Sequence, residues 1–150
     1  MVSPRTLLAR ERLDYDLRLA RQIQRHHHPF KPPVALISGG ECTVTIREGA
    51  TGSGRGGRCS EFLLSLALEL NGAHGIDALA CDTDGIDGSE DNAGALLAAD
   101  SLARAGAIGL QPAQLLLNND AFSFFAPLGD LVVTGPTRTN VNDYRVILIA

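Results

Sequence analysis

Hydrophobic residues recur every three to five positions over residues 5–27, with charged residues between them. The apolar positions are Leu8, Leu13, Leu17, Ala20 and Ile23. This spacing places them on one face of a helix, and Pro29 cannot continue it. The pattern therefore predicts one amphipathic helix. We assign residues 1–33 to this helix and a proline-rich linker, and residues 34–150 to a separate domain.

The rest of the chain alternates short apolar segments with polar loops. Strands are predicted at 34–38, 42–47, 77–81, 130–133 and 144–149, and helices at 59–71, 93–105, 112–117 and, as a single turn, 121–125. The first two strands should form a hairpin through Gly39 and Gly40. Asp91 or Asn92 should cap the helix at 93–105, and residues 118–120 should cap the turn that follows them. This order of elements predicts an α/β fold, with a mixed sheet and helices packed on its faces.

The composition of the chain argues against several classes of protein. The chain has 150 residues, of which 45% are hydrophobic and 20% charged, as in ordinary globular proteins. A net charge of −4 argues against a nucleic-acid surface. Cysteines at 42, 59 and 81 are odd in number and widely spaced, which argues against a disulfide framework or a zinc site. Without a bilayer-spanning apolar run or a signal-peptide pattern, we expect a cytoplasmic protein.

A glycine-rich loop at 51–58 precedes the predicted helix at 59–71. It contains four glycines and two arginines, of which the candidate site residues are Gly54, Gly56, Gly57, Arg55 and Arg58. Glycines allow backbone N–H groups to converge on an anion, and a helix N-terminus adds partial positive charge. Arginine can grip carboxylate or phosphate with two hydrogen bonds. The loop therefore predicts a binding site for phosphate or a small carboxylate.

The same loop has two other interpretations. Gly52, Gly54 and Gly57 satisfy the G-x-G-x-x-G pattern of dinucleotide-binding proteins, which would indicate an NAD(P)H-dependent reductase. The hairpin expected before the loop disfavours that function, since the pattern requires a strand–loop–helix crossover. A surface loop with solvated arginines also remains open.

An acidic loop follows the predicted strand at 77–81. Its acids are Asp82, Asp84, Asp87, Glu90 and Asp91. In open α/β sheets, ligands bind beyond the carboxyl ends of strands, where a carboxylate can hold Mg²⁺ or accept a proton from a hydroxyl group. We select Asp84 and Asp87 for these roles, with either as the magnesium ligand. Glu90 and Asp91 are expected to serve as caps.

A third polar loop, at 134–143, joins the last two predicted strands. Its candidate binding residues are Thr137, Asn140, Asn142 and Asp143, whose side chains can hydrogen-bond a polyhydroxy acid or phosphate. A loop bonded only to itself is the alternative. Ten residues is long for a connection between two strands, which favours a ligand role.

These segments, in this order, resemble the glycerate 2-kinase family in its C-terminal region, known as the MOFRL domain. The matching stretches are 36–41 with 43–45, 54–58 with 61–62, 83–88, 119–120 with 124–125, 128–130, 134–137 and 139–143. The resemblance covers roughly residues 20–150. Three departures from the family pattern stand out: Cys59–Ser60 stand where Asn-Gln is usual, and Asp82 and Arg138 each stand where glycine is common.

The resemblance implies ATP-dependent phosphorylation of D-glycerate to 2-phosphoglycerate with Mg²⁺, in a cleft between two domains. It implies that Arg55 and Arg58 neutralise phosphate or the glycerate carboxylate. The larger N-terminal kinase domain, which supplies a lysine, lies outside this sequence and is the expected partner. Members of the family are sometimes labelled hydroxypyruvate reductases. A homo-oligomer and a non-catalytic anion-binding or docking domain remain open.

Overall fold

The computed structural model describes residues 9–41 and 54–150, with side chains from Arg12 onward. In chain order the elements are α1 Ala9–His26, β1 Val34–Gly39, α2 Arg58–Leu70, β2 Ile76–Asp82, β3 Gly94–Leu97, α3 Ser101–Ala107, α4 Pro112–Leu117, α5 Phe122–Phe125, β4 Leu131–Val132 and β5 Asp143–Ile149. The predicted partner strand at 42–47 lies outside the described residues. No helix in the described ranges is long and apolar enough to cross a bilayer.

The five strands form one sheet in the order β1-β5-β2-β3-β4, and each of the described pairings is antiparallel. Strand β5 lies between β1 and β2, with Asp143 opposite Asp82 and Tyr144 opposite Gly39. The carboxyl ends of β1 and β2 therefore meet the amino end of β5 at one end of the sheet. The loops predicted to bind ligand begin or end there.

Helix α2 packs on β2 and β3 and forms the centre of the core. Its nearly continuous apolar segment is buried on most sides of the helix. Helix α1 packs on α2 and β5, burying Leu13, Leu17, Ala20 and Ile23. The amphipathic helix and the α/β class with helices packed on a sheet are thus confirmed. The residues of β2 and β5 that face the helices are buried, and the opposite face of the sheet is largely open.

The predicted helix at 93–105 is wrong in its first half. Gly94–Leu97 forms strand β3, and helix α3 begins only at Ser101. A Cβ at position 94 would lie 1.9 Å from the carbonyl oxygen of Ala80, so glycine permits the close pairing with β2. Asn92 does not cap a helix, because its buried side chain donates to the carbonyl of Gly94. Sheet pairing here overrides the helix propensity of an Ala/Leu-rich segment.

Candidate functional site

The glycine-rich loop and the acidic loop touch backbone to backbone. A Cβ on Gly57 would lie 2.4 Å from the carbonyl carbon and from Oδ1 of Asp87. A Cβ on Gly88 would lie 2.3 Å from the carbonyl oxygen of Gly56. Glycine at 57 and 88 is therefore required for contact between the loops.

Hydrogen bonds join the acidic loop to the third polar loop. The N–H and the hydroxyl of Thr83 donate to the carbonyl of Asn142 at 3.2 and 2.7 Å. The N–H of Thr137 donates to the carbonyl of Asp84 at 3.0 Å. The three polar loops predicted from the sequence thus lie together at one end of the sheet. The Thr137 hydroxyl also takes part in the contact between these two loops, because it donates to the carbonyl of Thr83.

Arg58, at the start of α2, is surrounded by carboxylates. It donates from Nε to Asp143 and from Nη2 to Asp82, both at 2.6 Å, and from Nη1 to Glu41 at 3.2 Å. Burial lowers the pKa of Arg58, but the hydrogen bond and charge of Asp143 and the charge of Asp82 outweigh it and raise that pKa above its ordinary value. Arg58 therefore serves first to neutralise the acids of its own chain.

A second arginine, Arg145 on β5, completes this cluster. It donates to the second oxygen of Asp143 at 3.1 Å and to the carbonyls of Gly39 and Gly40 at 2.9 and 3.2 Å. Its guanidinium lies 5.5 Å from the ring centroid of Phe62. Asp143 is thus shared between two arginines and is almost completely buried.

Sequence reasoning missed Arg145, Asp82 and Glu41 as members of this cluster. A signal for Arg145 was present, because strand alternation puts it on the same face as Ile147 and Ile149. A charged residue in that position is buried and needs a partner of opposite charge. Asp82 stands at a position where the glycerate 2-kinase pattern commonly has glycine. Its negative charge is neutralised here by Arg58.

Asp87 occupies the N-terminus of α2. Its carboxylate accepts hydrogen bonds from the N–H groups of Cys59 at 2.9 Å and Ser60 at 2.8 Å, and from the Ser60 hydroxyl. Burial raises the pKa of Asp87, while the bonds from Ser60 and Cys59 act in the opposite direction. These N–H groups are the ones that a phosphate would need at this helix end. The geometry fits a capping role for Asp87, and a dinucleotide pyrophosphate would have to displace it.

Asp84, by contrast, lies partly exposed on the rim of the three loops. Its Oδ1 accepts from the N–H of Ile86 at 2.9 Å, and its Oδ2 faces Asn140 Nδ2 at 3.4 Å. Asn140 in turn accepts from the N–H of Asn142 at 2.9 Å. Arg138 is exposed beside them with φ of 60°, and among the described residues it forms no hydrogen bond or ion pair. This rim presents an acid, amides and a cation to solvent.

Arg55 links the glycine-rich loop to the acidic loop. Its Nε and Nη2 donate to the two carboxylate oxygens of Glu90, both at 3.2 Å, and its guanidinium lies 4.3 Å from the Phe122 ring centroid. Half of the Arg55 side chain is exposed. Glu90, predicted to be a cap, instead pairs with Arg55, and that hydrogen bond lowers the pKa of Glu90.

Residues 118–120 have divided roles. Asp120 accepts from the N–H of Ser123 at 3.3 Å, which fits the predicted capping of the turn α5. Asn119 instead donates to both carboxylate oxygens of Glu61 on α2, at 2.8 and 3.0 Å. A Cβ on Gly54 would meet the Asn119 carbonyl oxygen at 2.3 Å, so this glycine also serves loop packing.

The described ranges contain no group of three or more His, Cys, Asp or Glu side chains able to hold a metal ion. Magnesium commonly binds one or two protein carboxylates together with substrate phosphate and water. Asp84 fits such a limited role because it is partly exposed on the rim. Asp87 does not, because its oxygens face the start of α2.

Comparison with known proteins assigns the family. The sequence profile described as the MOFRL family matches residues 34–143, which contain β1, the three loops and the start of β5. The chain belongs to the MOFRL family. The resemblance inferred from the loop motifs is thereby confirmed, and the matched segment begins at the first residue of β1.

Relatives of this MOFRL chain carry two kinds of name. A putative hydroxypyruvate reductase of Agrobacterium vitis is 58% identical over 121 residues, covering 81% of this chain and 27% of the relative. The D-glycerate 2-kinase of Thermotoga maritima is 38% identical over 141 residues, covering 94% of this chain and 33% of the relative. The MOFRL chain therefore spans about a third or less of these relatives.

Two solved structures share the fold. The crystal structure of glycerate kinase from Thermotoga maritima superposes with a TM-score of 0.87 at 38% identity, covering 95% of this chain and 34% of that one. A crystal structure from Pyrococcus horikoshii gives a TM-score of 0.85 at 30% identity, covering 95% and 32%. The MOFRL fold described above is thus the fold of one part of these larger proteins.

Proposed function

We propose that this chain is the C-terminal part of a glycerate 2-kinase and contributes to ATP-dependent phosphorylation of D-glycerate to 2-phosphoglycerate. The likeness to the Thermotoga maritima D-glycerate 2-kinase supports this function. The observation that carries it is the joining of three polar loops at one end of the sheet, where Asp84, Asn140 and Arg138 face solvent. A glycerate kinase acts on dissolved metabolites, so we place it in the cytoplasm.

In this proposal the chain supplies one wall of the active site. Phosphoryl transfer depends chiefly on positioning and on stabilising charge, which suits polar side chains fixed on short loops. Magnesium, when bound, would neutralise charge on the transferred phosphate. Asp84 is the residue of this chain that would help to hold it, or would accept a hydrogen bond from the reacting hydroxyl.

Asn140, Asn142 and Arg138 would contact the glycerate carboxylate and hydroxyl groups from the same rim. Amide groups donate and accept, and an exposed guanidinium offers a bidentate grip on a carboxylate. Arg55 would approach phosphate from the glycine-rich loop, since its pairing with Glu90 uses Nε and Nη2 and leaves Nη1 outside that fork.

The other predicted site residues have bracing roles in this proposal. They are Arg58, Asp87, Asp143, Gly54, Gly56, Gly57 and Thr137. Arg58 and Asp143 fix the ends of β2 and β5, and Asp87 fixes the start of α2. The glycines and Thr137 hold the loops in contact. Such bracing matters for catalysis because small misplacements of positioned groups cost large factors in rate.

The remaining parts of the active site, including most nucleotide contacts, would come from a partner domain equivalent to the rest of the relatives. The Thermotoga maritima kinase is about three times the length that this chain spans. Calorimetric titration with D-glycerate, 2-phosphoglycerate and Mg-ATP, beside a coupled kinase assay, tests the proposal. We expect binding of an acid or phosphate ester by the chain, and turnover once the partner domain is added.

Asp84→Asn provides the sharpest variant, with Asp91→Asn as its control. Both acids lie in one loop, but Asp91 is exposed and is not part of the rim network. We expect Asp84→Asn to weaken magnesium-dependent binding while Asp91→Asn leaves it unchanged. Equal titration curves for both variants and the unmodified chain would remove Asp84 from the site.

The reductase names of the Agrobacterium relatives define the competing function. Oxidation of NADH in the presence of hydroxypyruvate measures it directly. The Asp87 carboxylate at the N-terminus of α2 weighs against dinucleotide binding there, because it already takes the N–H groups of Cys59 and Ser60. Hydroxypyruvate-dependent oxidation of NADH by the chain would replace the kinase proposal.

A further inference from the structure

The sheet face turned away from the helices carries a row of apolar side chains. Ile37 on β1 pairs with Val146 on β5, Val146 pairs with Leu79 on β2, and Leu79 pairs with Leu96 on β3. These four residues, the apolar row, therefore lie side by side across four strands. The side chains at its two ends are well exposed, at 64% for Ile37 and 48% for Leu96.

Apolar residues also flank this row. Leu148 lies on one side of it and is 45% exposed, and Tyr144 lies on the other side and is 41% exposed. An antiparallel sheet with one face in water normally alternates apolar residues inward and polar residues outward. Strands β1 and β5 instead place aliphatic residues on both faces. A contiguous exposed apolar surface of this kind marks an interaction site.

The apolar surface runs into the candidate site. Tyr144 directly follows Asp143, and Cys81, which pairs with Tyr144 on the open face, directly precedes Asp82. A folded unit seated on the apolar row would therefore also lie next to the three polar loops. Docking on this face would bring its side chains to the rim formed by Asp84 and Asn140.

We propose that the open face of the sheet, centred on the apolar row, is the docking surface for the partner domain that completes the enzyme. This inference rests on the proposed function and identifies the surface through which it is achieved. The relatives include about two thirds of their length beyond the part that this chain spans, so a large folded unit has to be accommodated beside the site. A second copy of this chain would not supply that missing part.

Co-expression and capture test the surface. The probe is the polypeptide comprising the part of the Thermotoga maritima D-glycerate 2-kinase that this chain does not span. The part of that enzyme that this chain does span establishes the assay conditions. The test variant is Ile37→Lys with Leu96→Lys, which places two charges at the ends of the apolar row. The control is Ile108→Lys with Leu117→Lys, at residues of similar exposure (55% and 51%) outside the sheet.

We expect the unmodified chain and the control to capture the probe, and the test variant to bind it at least about tenfold more weakly, since buried unpaired charges are costly. Equal capture by the test variant, or no capture by the unmodified chain, would overturn the proposal. So would sedimentation showing a dimer of the chain that the test variant alone dissociates. The assay needs no turnover, so a chain that docks but supports no kinase activity would refute the proposed function and leave the surface intact.

Discussion

The carboxylate of Asp87 accepts the backbone N–H of Ser60 at 2.8 Å, 27 residues away along the chain. With its bond to Cys59, it satisfies two of the N–H groups that a helix leaves without intrahelical partners at its start. The acidic loop therefore neutralises the positive end of α2. The glycine-rich loop is built to receive this acid, so its resemblance to a phosphate cradle reflects packing within the chain.

Replacing Asp87 by Asn should destabilise the fold. One carboxylate oxygen becomes an NH₂ group, which cannot accept from a backbone N–H, so one of the N–H groups of Cys59 and Ser60 loses its acceptor. A protonated carboxyl differs from this amide, because it keeps acceptor capacity while it donates its one proton. A buried donor without a partner costs about 1–3 kcal/mol. Urea unfolding measures this loss, and Asp91→Asn serves as the control because Asp91 is exposed. An unfolding free energy equal to that of the control would show that the cap is dispensable.

Stability should fall as pH rises through the titration of Asp87. Burial raises the pKa of this acid above its ordinary value of 3.8. Between the ordinary and the raised pKa the folded state holds a proton that the unfolded state has lost, so deprotonation favours unfolding. Burial also raises the pKa of Asp82, which adds a contribution of the same sign.

The free energy of unfolding, measured by urea titration from pH 3.8 upward, should therefore decrease over this window. In Asp87→Asn the decrease should be smaller, because Asp82 is then the remaining acid of the two whose pKa is raised. Glu90, whose pKa is lowered, contributes with the opposite sign, but it does so equally in both proteins. Curves of equal slope for both proteins would contradict a raised pKa at Asp87.

Removing the charge of Arg58 should cost more than removing that of Arg104. Arg58→Met leaves Asp143 and Asp82 without their shared partner, and both acids are buried. Breaking a buried ion pair costs roughly 3–5 kcal/mol. Arg104 pairs with Asp130 and Asp100 at a more exposed position, where about 1 kcal/mol or less is expected. Thermal and urea unfolding of Arg58→Met and Arg104→Met measure the two losses of stability. Similar losses would show that the Arg58 cluster does not stabilise the fold more than a surface ion pair does.

Two glycine substitutions provide a matched pair. Gly57→Ala places a Cβ 2.4 Å from the backbone of Asp87, which is buried, so the two loops must separate and unfolding should occur at much lower denaturant. Gly106→Ala lies in α3 with no atom within 4 Å of the new Cβ. It should stabilise the protein by about 0.5–1 kcal/mol, the ordinary helical difference between alanine and glycine. A Gly57→Ala protein as stable as Gly106→Ala would mean that the loops are not in contact.

Local patterns predicted most of the fold because their physical causes are local. Helix α1 follows from apolar spacing, and α4 begins with Pro112 in its first turn, where its missing N–H costs nothing. Strand β3 could not be predicted in the same way. The segment Gly94–Leu97 has a sequence that also suits a helix, and its pairing with β2 decides the outcome.

The candidate site, too, was predictable from the sequence only where its features have local causes. The sequence showed which loops are polar and which strand ends carry them, so their meeting at one end of the sheet followed from the fold. It did not show which acids face outward. Asp84 and Asp87 are three residues apart with similar neighbours, yet one lies on the rim and the other caps α2. That difference arises from contact with a loop about 30 residues earlier.

Arg55 should affect binding without affecting stability. Its guanidinium is half exposed and already paired with Glu90, so Arg55→Ala should leave the unfolding temperature unchanged, since exposed pairs contribute little. Titration with 2-phosphoglycerate should show an affinity reduced by roughly tenfold, as expected for loss of one charged hydrogen-bond donor. Arg25→Ala, at an exposed position on α1, is the control. If both variants bind 2-phosphoglycerate as the unmodified chain does, Arg55 does not contact the anion and serves as a surface partner of Glu90.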